Sequence, residues 1–471
     1  MRMDARSSNK RSISKLPDAI LQRILSFLPT KDAVKTSVLS RRWEYLWTSI
    51  PNLEFIGGAS DNFTAFVDRV IALHVSDIKK CWLECYKSGD EPCIKRLIAA
   101  VVRRNVEELH IDTEDPKGPL QLPQCLFVSA SLTRLNLSIC CTLKFPPSIR
   151  LSNLKNLLFE HITFTDDVST QQFFSGCPAL ETVCFYKCKW TNLCSVVICA
   201  PKLWSLEVIG DKGANFEASD GCELMIFAPS LHYFDYDGEF LNDYCIYDSP
   251  TLNEAKIHSR KAWNERPRTV FYRLYKLLKG ISNVKQLSLS SDTVEVFAFL
   301  SCCNKNSFHH LSGKSEDHRT IDCEALMKML QCSPRLENLC FKAGIKLSLH
   351  CKNYKGISES VTQGFLSRLK TVEIDVSKFG GNEKLFVDAI EILLKRASVL
   401  DKLIVYVPKY YAATVGVYKE KLKKELLKLP KASKLVRSDY ANFLRRSFLK
   451  YVKGVPKQNM DIGYVVVMEL M

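Results

Sequence analysis

The densest grouping of potential metal ligands in the sequence is Cys302-Cys303 followed by His309-His310. Thiolate and imidazole groups bind zinc, but a tetrahedral site needs ligand pairs at characteristic spacings, and the residues flanking this cluster lack them. We therefore predict no metal here and no bound cofactor.

Two cysteine pairs have a spacing that could also bring thiols together. Cys81 and Cys85 are four residues apart, as are Cys184 and Cys188. Such a spacing places both side chains on one face of a helix. Residues 183–185 are, however, required for a predicted strand, which separates the second pair.

Motifs of enzymatic chemistry are missing from the sequence. It contains no GxxxxGK[ST] phosphate loop, no GxGxxG after a strand, no GxSxG and no HExxH. The nine histidines are scattered, and the Asp166-Asp167 pair falls in a predicted turn where a solvated role is favoured. We predict a protein without catalytic residues, which acts by binding.

Composition limits the class of protein. The 471 residues are 46% hydrophobic, as in folded domains, and no apolar run approaches the roughly twenty residues of a membrane span. Residues 1–11 are basic and polar; we expect them to be disordered and not a secretory signal. Nineteen cysteines without an export signal indicate reduced thiols. We expect an intracellular protein of the nucleus, the cytoplasm or both.

The net charge of +15 permits a nucleic-acid partner. Residues 401–471 hold 15 Lys and Arg against 6 Asp and Glu, a net charge of +9. The Lys-Glu-rich stretch at 419–425 reads more simply as a solvated helix face, and no zinc-finger or RNA-recognition pattern is present. The sequence favours the solvated face and keeps nucleic-acid association as the weaker alternative.

A repeat fills the middle of the chain, with apolar anchors at positions 1, 4 and 6 of each copy. The second and third anchors alternate as in a strand with one buried face. Because one copy cannot bury that face, the copies must stack. The copies are Val106/Leu109/Ile111, Leu132/Leu135/Leu137, Leu154/Leu157/Phe159, Leu180/Val183/Phe185, Leu203/Leu206/Val208, Leu231/Phe234/Tyr236, Leu252/Ala255/Ile257, Val284/Leu287/Leu289 and Leu336/Leu339/Phe341.

Several cysteines fit this repeat without any metal. Cys140 and Cys188 follow strands at the position where a buried polar side chain fixes the turn. A small residue and a proline precede several strands, as in Cys177-Pro178 and Ala228-Pro229, and predict a stop before each strand. Residues 171–176 and 271–280 are predicted to be helical return segments.

The C-terminal part has the pattern of an enlarged repeat. Residues 372–374 and 403–406 read as strands, and Leu385 to Lys395 reads as an amphipathic helix between them. This unit should cap the repeat array. For residues 437–471 the sequence leaves both disorder and an extension particular to this chain open.

Residues 16–47 carry more apolar side chains than so short a segment can enclose. Ile20, Leu21, Ile24 and Leu25 recur at helical spacing, Pro29 ends this helix and Thr30 could cap a second. Ser40 could cap a third helix, with Leu39, Trp43, Leu46 and Trp47 along one side.

The stretch from Leu16 to Trp47 resembles an F-box, which docks substrate receptors onto the Skp-type adaptor of cullin-based ubiquitin ligases. The array resembles plant leucine-rich repeats, and residues 365–433 resemble an FBD domain. The resemblance implies an α/β protein: a three-helix F-box, then a curved leucine-rich-repeat solenoid with parallel strands on its concave face and an FBD-type cap. The expected domains are 12–55 (F-box), 56–94 (linker or N-terminal cap), 95–360 (repeats), 361–436 (FBD) and 437–471 (tail).

The F-box resemblance implies a set of adaptor-binding residues, some of which could instead form the core of the module. They are Leu16, Pro17, Ile20, Leu21, Ile24, Leu28, Pro29, Val38, Leu39, Trp43, Leu46 and Trp47. The function implied is a non-catalytic receptor that binds a target protein, while a cullin-bound RING protein and its partner enzyme catalyse ubiquitin transfer. A repeat-based scaffold that assembles no ligase is the main alternative. The sequence neither supports nor opposes a small molecule within the repeats.

Overall fold

The fold was obtained as a computed structural model. It describes residues 13, 16–57, 62–85, 91–113, 121–210, 221–259, 267–290, 292–293, 296, 333–342, 368–375, 399–408, 432–438 and 462–470. The chain divides into two compact units, residues 1–191 and 192–471. The predicted disordered segment 1–11 and the Cys302-Cys303/His309-His310 cluster lie outside the described residues.

The first unit opens with a helical segment. Helix α1 spans Asp18–Leu25, helix α2 spans Thr30–Lys35, and 3-10 turns follow at Thr36–Val38 and Leu46–Ser49. The expected third α-helix is thus replaced by turns and a 3-10 helix. Trp43 and Leu46 lie three residues apart and are both buried, a spacing that the tighter 3-10 geometry aligns on one side.

Thr30 also differs from the expectation that it caps α2. Pro29 precedes the helix without a side-chain cap, and Thr30 is its first residue. The Thr30 hydroxyl is buried and accepts a hydrogen bond of 2.7 Å from the backbone N–H of Glu54. Thr30 therefore connects the helical segment to the first strand of the sheet.

A parallel sheet of six consecutive strands, β1 to β6, fills the rest of the first unit. The strands are β1 Asn52–Gly57, β2 Lys80–Cys85, β3 Glu108–Thr113, β4 Arg134–Thr142, β5 Asn156–Phe164 and β6 Thr182–Tyr186, and the short β7 Lys189–Trp190 pairs with β5. The return segments include α3 Asn62–Leu73, α4 Glu91–Val102, a 3-10 helix at Gln124–Val128 and α5 Asp167–Ser175. The last of these covers residues 171–175 of the predicted helical return at 171–176, and Gly176 is its C-cap.

The repeat anchors form the core, as predicted. Each anchor of the nine copies is buried. In the first unit, neighbouring copies align in register, so that Leu109 lies beside Leu135 and Leu135 beside Leu157. Burying each aliphatic or aromatic anchor contributes about 1.5–3 kcal/mol, an amount that one isolated copy could not gain.

The sheet begins upstream of residue 95, where the repeats were expected to start. Strand β1 carries the anchors Ile50, Leu53 and Phe55, at the same spacing as the predicted copies, and all three are buried. Strand β2 has Cys81 where most of the copies have leucine, and Cys81 lies in register beside Leu53 and Leu109. The first two strands are therefore full members of the array.

The second unit contains two parallel sheets and one described helix. Strands β9 Ser205–Ile209, β11 Tyr233–Gly238, β13 Glu254–Ser259, β14 Gln286–Ser290, β15 Asn338–Lys342, β16 Thr371–Asp375 and β17 Lys402–Pro408 form one sheet. Strands β8 Ser195–Cys199, β10 Glu223–Phe227 and β12 Asp243–Tyr247 form the other. Helix α6, Pro267–Gly280, contains the predicted return at 271–280.

The C-terminal strands continue the repeat register. Val372 and Ile374 of β16 lie beside Leu339 and Phe341 of β15. Strand β17 follows in parallel, and the edge then closes with antiparallel strands β19, Ile462–Leu470, and β18, Ala432–Ser438. The predicted helix at 385–395 lies outside the described residues. The last residues of the tail form β19, which lies between β17 and the edge strand β18.

The predicted proline stops are tight turns. The residue before each proline is small and buried: Cys177, Ala200, Ala228, Ser249 and Ser333. Its carbonyl accepts a hydrogen bond from the first anchor three residues later, for example Leu231 N–H to Ala228 at 3.0 Å. Proline at the second position of such a turn presets the required backbone angle. Small size is needed because the side chain packs in the core.

The two cysteines predicted to fix turns behave differently. The Cys188 thiol points back to the carbonyl oxygen of Phe159 on the preceding repeat, 3.2 Å away, as the prediction requires. Cys140 is exposed, and the adjacent Cys141 is the buried residue. The prediction for Cys140 was therefore wrong, because β4 continues to Thr142 and the alternation of buried and outward-facing residues continues with it, which buries Cys141 and exposes Cys140.

Candidate functional site

The helical segment builds its own core from one side of α1 and the two tryptophans. Leu21 and Leu25 are buried on α1, and Trp43 and Trp47 are buried beyond α2. The indole N–H of Trp47 donates to the backbone carbonyl of Glu44 at 3.0 Å, which satisfies its polar group. The segment is therefore a packed module and not a loose extension.

An ion pair joins the two ends of this segment. The Arg42 guanidinium donates to the Asp18 carboxylate at 2.6 and 2.9 Å, and it also donates to the backbone carbonyl of Leu16. Both side chains are largely exposed, so the pair contributes little stability. It nevertheless brings the turn after α2 next to the start of α1.

The structure divides the predicted adaptor-binding residues into two groups. One group is buried within the module: Leu21, Trp43, Leu46 and Trp47. The other is exposed: Leu16, Pro17, Ile20, Leu28, Pro29, Val38 and Leu39, with Ile24 half-buried. Only the exposed group offers side-chain surface to a partner in this conformation, and the buried group holds the module together.

Two further apolar residues of the segment are exposed and were not among the predicted residues. Phe27 is 79% exposed and Tyr45 is 60% exposed. Phe27 lies seven residues after Ile20, two helical turns along the same face, and this spacing is the signal that could have identified it. Tyr45 lies in a turn, where no periodicity marks the exposed side.

The strand face, which is the side of β1–β4 opposite the buried anchors, carries rows of polar and aromatic residues. In one row Glu54, Trp82, His110 and Asn136 lie side by side in register. The rings of Trp82 and His110 pack against each other with centroids 3.9 Å apart and an angle of 36° between their planes. Burial lowers the pKa of His110, opposed by the Asp112 carboxylate, and neither ring nitrogen has a hydrogen-bond partner among the described residues.

The adjacent row is an ionic one. The Glu108 carboxylate accepts from Lys80 and from Arg134, each at 3.0 Å. Both rows line a groove of about 300 Å³, which also borders Phe27 and Leu28 at the end of α1. The groove thus combines exposed apolar side chains, an aromatic stack and charges of both signs.

Comparison with known proteins agrees with this architecture. The F-box domain profile matches residues 13–55, and the profile described as At1g61320/AtMIF1, LRR domain matches residues 70–433, more than half of the chain. The F-box/LRR-repeat protein At3g59160 of Arabidopsis thaliana is 30% identical over 398 residues, which cover 72% of this chain and 83% of that protein. The chain belongs to the F-box/LRR-repeat family.

Other relatives of this F-box/LRR-repeat protein carry the third domain in their names. The F-box/FBD/LRR-repeat protein At3g59240 of Arabidopsis thaliana is 28% identical, over 84% of this chain and 83% of that protein. The FBD-associated F-box protein At5g22730 is 28% identical, over 90% and 93% of the two chains. The F-box and repeat domains support a substrate-adaptor role, whereas an FBD domain at 361–436 stays a prediction.

The second unit of the F-box/LRR-repeat protein has its own polar cluster on strands β9, β11 and β13. The Tyr233 hydroxyl donates to Asp235 at 2.8 Å, and the Lys256 ammonium donates to the Tyr233 oxygen at 3.0 Å. Burial and the nearby Asp235 raise the pKa of Tyr233, and the same two causes raise the pKa of Glu207. The cluster is internally paired, which fits a stable binding surface better than acid–base chemistry.

A second ionic network joins α6 to the smaller sheet of the F-box/LRR-repeat protein. Arg273 and Lys276 both contact the Asp243 carboxylate, at 2.7 and 2.9 Å, and Lys276 also contacts Glu223 at 3.0 Å. These hydrogen bonds raise the pKa of Lys276, chiefly the one to Asp243. The network is structural, because it fixes a return helix against the sheet beneath it.

The part of the chain that the structure describes holds no metal site and no helix that could span a membrane. Within those residues no group of three or more potential ligands forms a metal site. Cys81 and Cys85 both lie on β2, not on a helix, and both are buried. None of the described helices is long and apolar enough to span a bilayer.

Proposed function

We propose that this protein is the substrate-recognition subunit of an SCF-type ubiquitin ligase. The exposed apolar residues of its F-box, other than Phe27 at the rim of the strand-face groove, bind the Skp-type adaptor, and through it the cullin and RING subunits. The repeat strands bind a target protein. The protein itself has no catalytic role, and it acts by holding target lysines near the ubiquitin-transfer machinery, which raises their local concentration.

The concentration of exposed apolar side chains in the F-box carries this proposal. Nineteen large hydrophobic residues of the described chain are exposed, and eight of them fall between residues 13 and 45: Ile13, Leu16, Ile20, Phe27, Leu28, Val38, Leu39 and Tyr45. Scattered exposed apolar residues are normal, but a cluster of this density marks a protein-binding surface. The buried core of the module is formed by other residues, among them Leu21, Leu25, Trp43 and Trp47.

The energetics favour an adaptor of matching apolar surface. Val38 and Leu39 are 87% and 62% exposed, and burying such a side chain contributes about 1.5–3 kcal/mol. A few such anchors can offset the cost of association and yield a stable complex. The Arg42–Asp18 pair supports this arrangement, because it holds the Val38–Leu39 turn near the start of α1.

Adaptor capture with surface variants tests the proposal. The double variant Ile20→Asp plus Val38→Asp places two charges in the apolar surface and leaves the buried core intact. We expect its affinity for a purified Skp-type adaptor to fall by about thirtyfold to a thousandfold, because each of the two lost anchors costs on the order of 1–2 kcal/mol.

Val168→Asp is the matched control. Val168 is 63% exposed on α5, outside the F-box, and this variant should bind the adaptor like wild type. If the double variant also bound the adaptor with wild-type affinity, docking through this surface would be excluded and the scaffold alternative would be favoured.

A further inference from the structure

The groove on the strand face has an open aromatic surface at its centre. Trp82 is 46% exposed although it lies in the interior of the sheet, between β1 and β3. His110 covers the side of the indole that faces β3, at a centroid distance of 3.9 Å. The remaining surface of the indole therefore lies on the side of β1, where Glu54 is the residue in register.

Glu54 supplies a negative charge beside this surface. Its carboxylate lines the groove and makes no hydrogen bond or ion pair with the residues that the structure describes. Its backbone N–H is already bound to Thr30, which fixes the position of the residue on β1. An exposed indole next to an unpaired carboxylate is the combination that attracts a cationic side chain, through the ring quadrupole and through charge.

An anionic group is a poorer fit for the same groove. Its two cations, Lys80 and Arg134, are both bound to the single Glu108 carboxylate. A phosphate or carboxylate would have to compete with Glu108 for them. His110 is disfavoured as a third cation, because burial lowers the pKa of its imidazole.

The apolar rim of the groove suits the stem of a long side chain. Phe27, which was not among the predicted adaptor-binding residues, borders the groove and is 79% exposed. Lysine and arginine bury their methylene stems along such surfaces while their charged ends reach a polar group. A groove of about 300 Å³ has room for one such side chain and the adjoining backbone of an extended peptide.

We propose that this groove binds a lysine or arginine side chain of the target protein, with the cation over Trp82 and paired with Glu54. The inference rests on the proposed function, in which the repeat strands read the target. It adds the chemical class of the segment that is read, a basic one, and the position at which it binds.

Selection from a random peptide library tests this inference. The full chain in complex with its adaptor is immobilised, and the retained peptides are sequenced. We expect enrichment of lysine and arginine. Trp82→Ala and Glu54→Gln should each weaken the binding of the best peptide about tenfold, whereas Glu54→Asp retains the charge and most of the affinity.

Trp204→Ala is the matched control, because Trp204 is 43% exposed and also stacks on a histidine, His232, in the second unit. It should leave peptide binding unchanged. A retained set without basic residues, a preference for phosphorylated peptides, or equal binding by wild type and both groove variants would overturn the inference.

Adaptor capture separates a failure of this inference from a failure of the proposed function. If Trp82→Ala and Glu54→Gln bind the adaptor like wild type, both variants are folded and the peptide result concerns the groove alone. If the Ile20→Asp plus Val38→Asp variant keeps adaptor binding, the proposed function fails irrespective of the peptide result.

Discussion

Single residues of one short motif have opposite fates in the F-box. Trp43 and Trp47 are buried in the core of the module. Val38 and Leu39, a few residues earlier, are among the most exposed apolar side chains of the described residues. Removing a buried tryptophan should therefore reduce stability, by about 3–5 kcal/mol. Removing Val38 should reduce adaptor binding and leave stability nearly unchanged.

The buried His74 makes stability depend on pH. It follows α3, is 2% exposed, and has no hydrogen-bond partner for either ring nitrogen among the described residues. Burial is the main cause that lowers the pKa of His74 to about 4, compared with about 6.5 in the unfolded chain, and the positive charge of Arg104 lowers it further. The unfolded state therefore binds the proton more readily than the folded state between these values.

We expect the free energy of unfolding to fall as the pH drops from 6.5 toward 4, and the contribution of His74 to be complete above 6.5. The slope due to this residue is at most about 1.4 kcal/mol per pH unit. Denaturant titrations at several pH values measure it. His74→Leu should flatten the slope, and the same change at the exposed His232 should not. An unchanged slope in His74→Leu would contradict this account.

At the scale of elements, α5 is held to the sheet by an aromatic cluster. Phe173 is fully buried, and its ring centroid lies 4.6 Å from that of Phe145 and 5.3 Å from those of Phe159 and Phe174. Phe173→Ala should cost about 3–5 kcal/mol of unfolding free energy, because it leaves a cavity among rigid rings. Val168→Ala on the exposed side of α5 should cost less than about 0.5 kcal/mol.

Chemical denaturation with circular dichroism detection measures both variants. A loss of less than about 1 kcal/mol for Phe173→Ala would mean that the cluster can collapse around the gap, and that α5 is fixed mainly by other contacts.

The repeat elements could be predicted from the sequence because their anchors have a fixed spacing and one chemical character. The two earliest strands were not predicted as repeats. Strand β1 was assigned mostly to the F-box at 12–55, and β2, where Cys81 takes the anchor position, was assigned to the linker or N-terminal cap at 56–94. Apolar periodicity predicted a third α-helix in the F-box. The structure instead buries both Trp43 and Leu46 through turns and a 3-10 helix. Periodicity indicates a buried face without fixing the type of helix.

At the scale of the whole molecule, the sequence predicted which segment is the F-box but not how its residues divide between core and surface. Trp43 and Val38 both belong to the F-box pattern, and only three-dimensional packing distinguishes them. The groove was also not predicted. Trp82 and His110 belong to strands separated by a helix and a turn, and only the parallel register of β2 and β3 places them side by side.

We propose that this chain joins a cullin ligase through the exposed face of its F-box. Assembly of the purified components tests this proposal most directly. Size-exclusion chromatography of the full chain with a Skp-type adaptor, cullin and RING protein should give one complex that contains all four. The Ile20→Asp plus Val38→Asp variant should elute apart from the other three. Separate elution of the wild-type chain, or co-elution of the variant at the wild-type level, would contradict the claim.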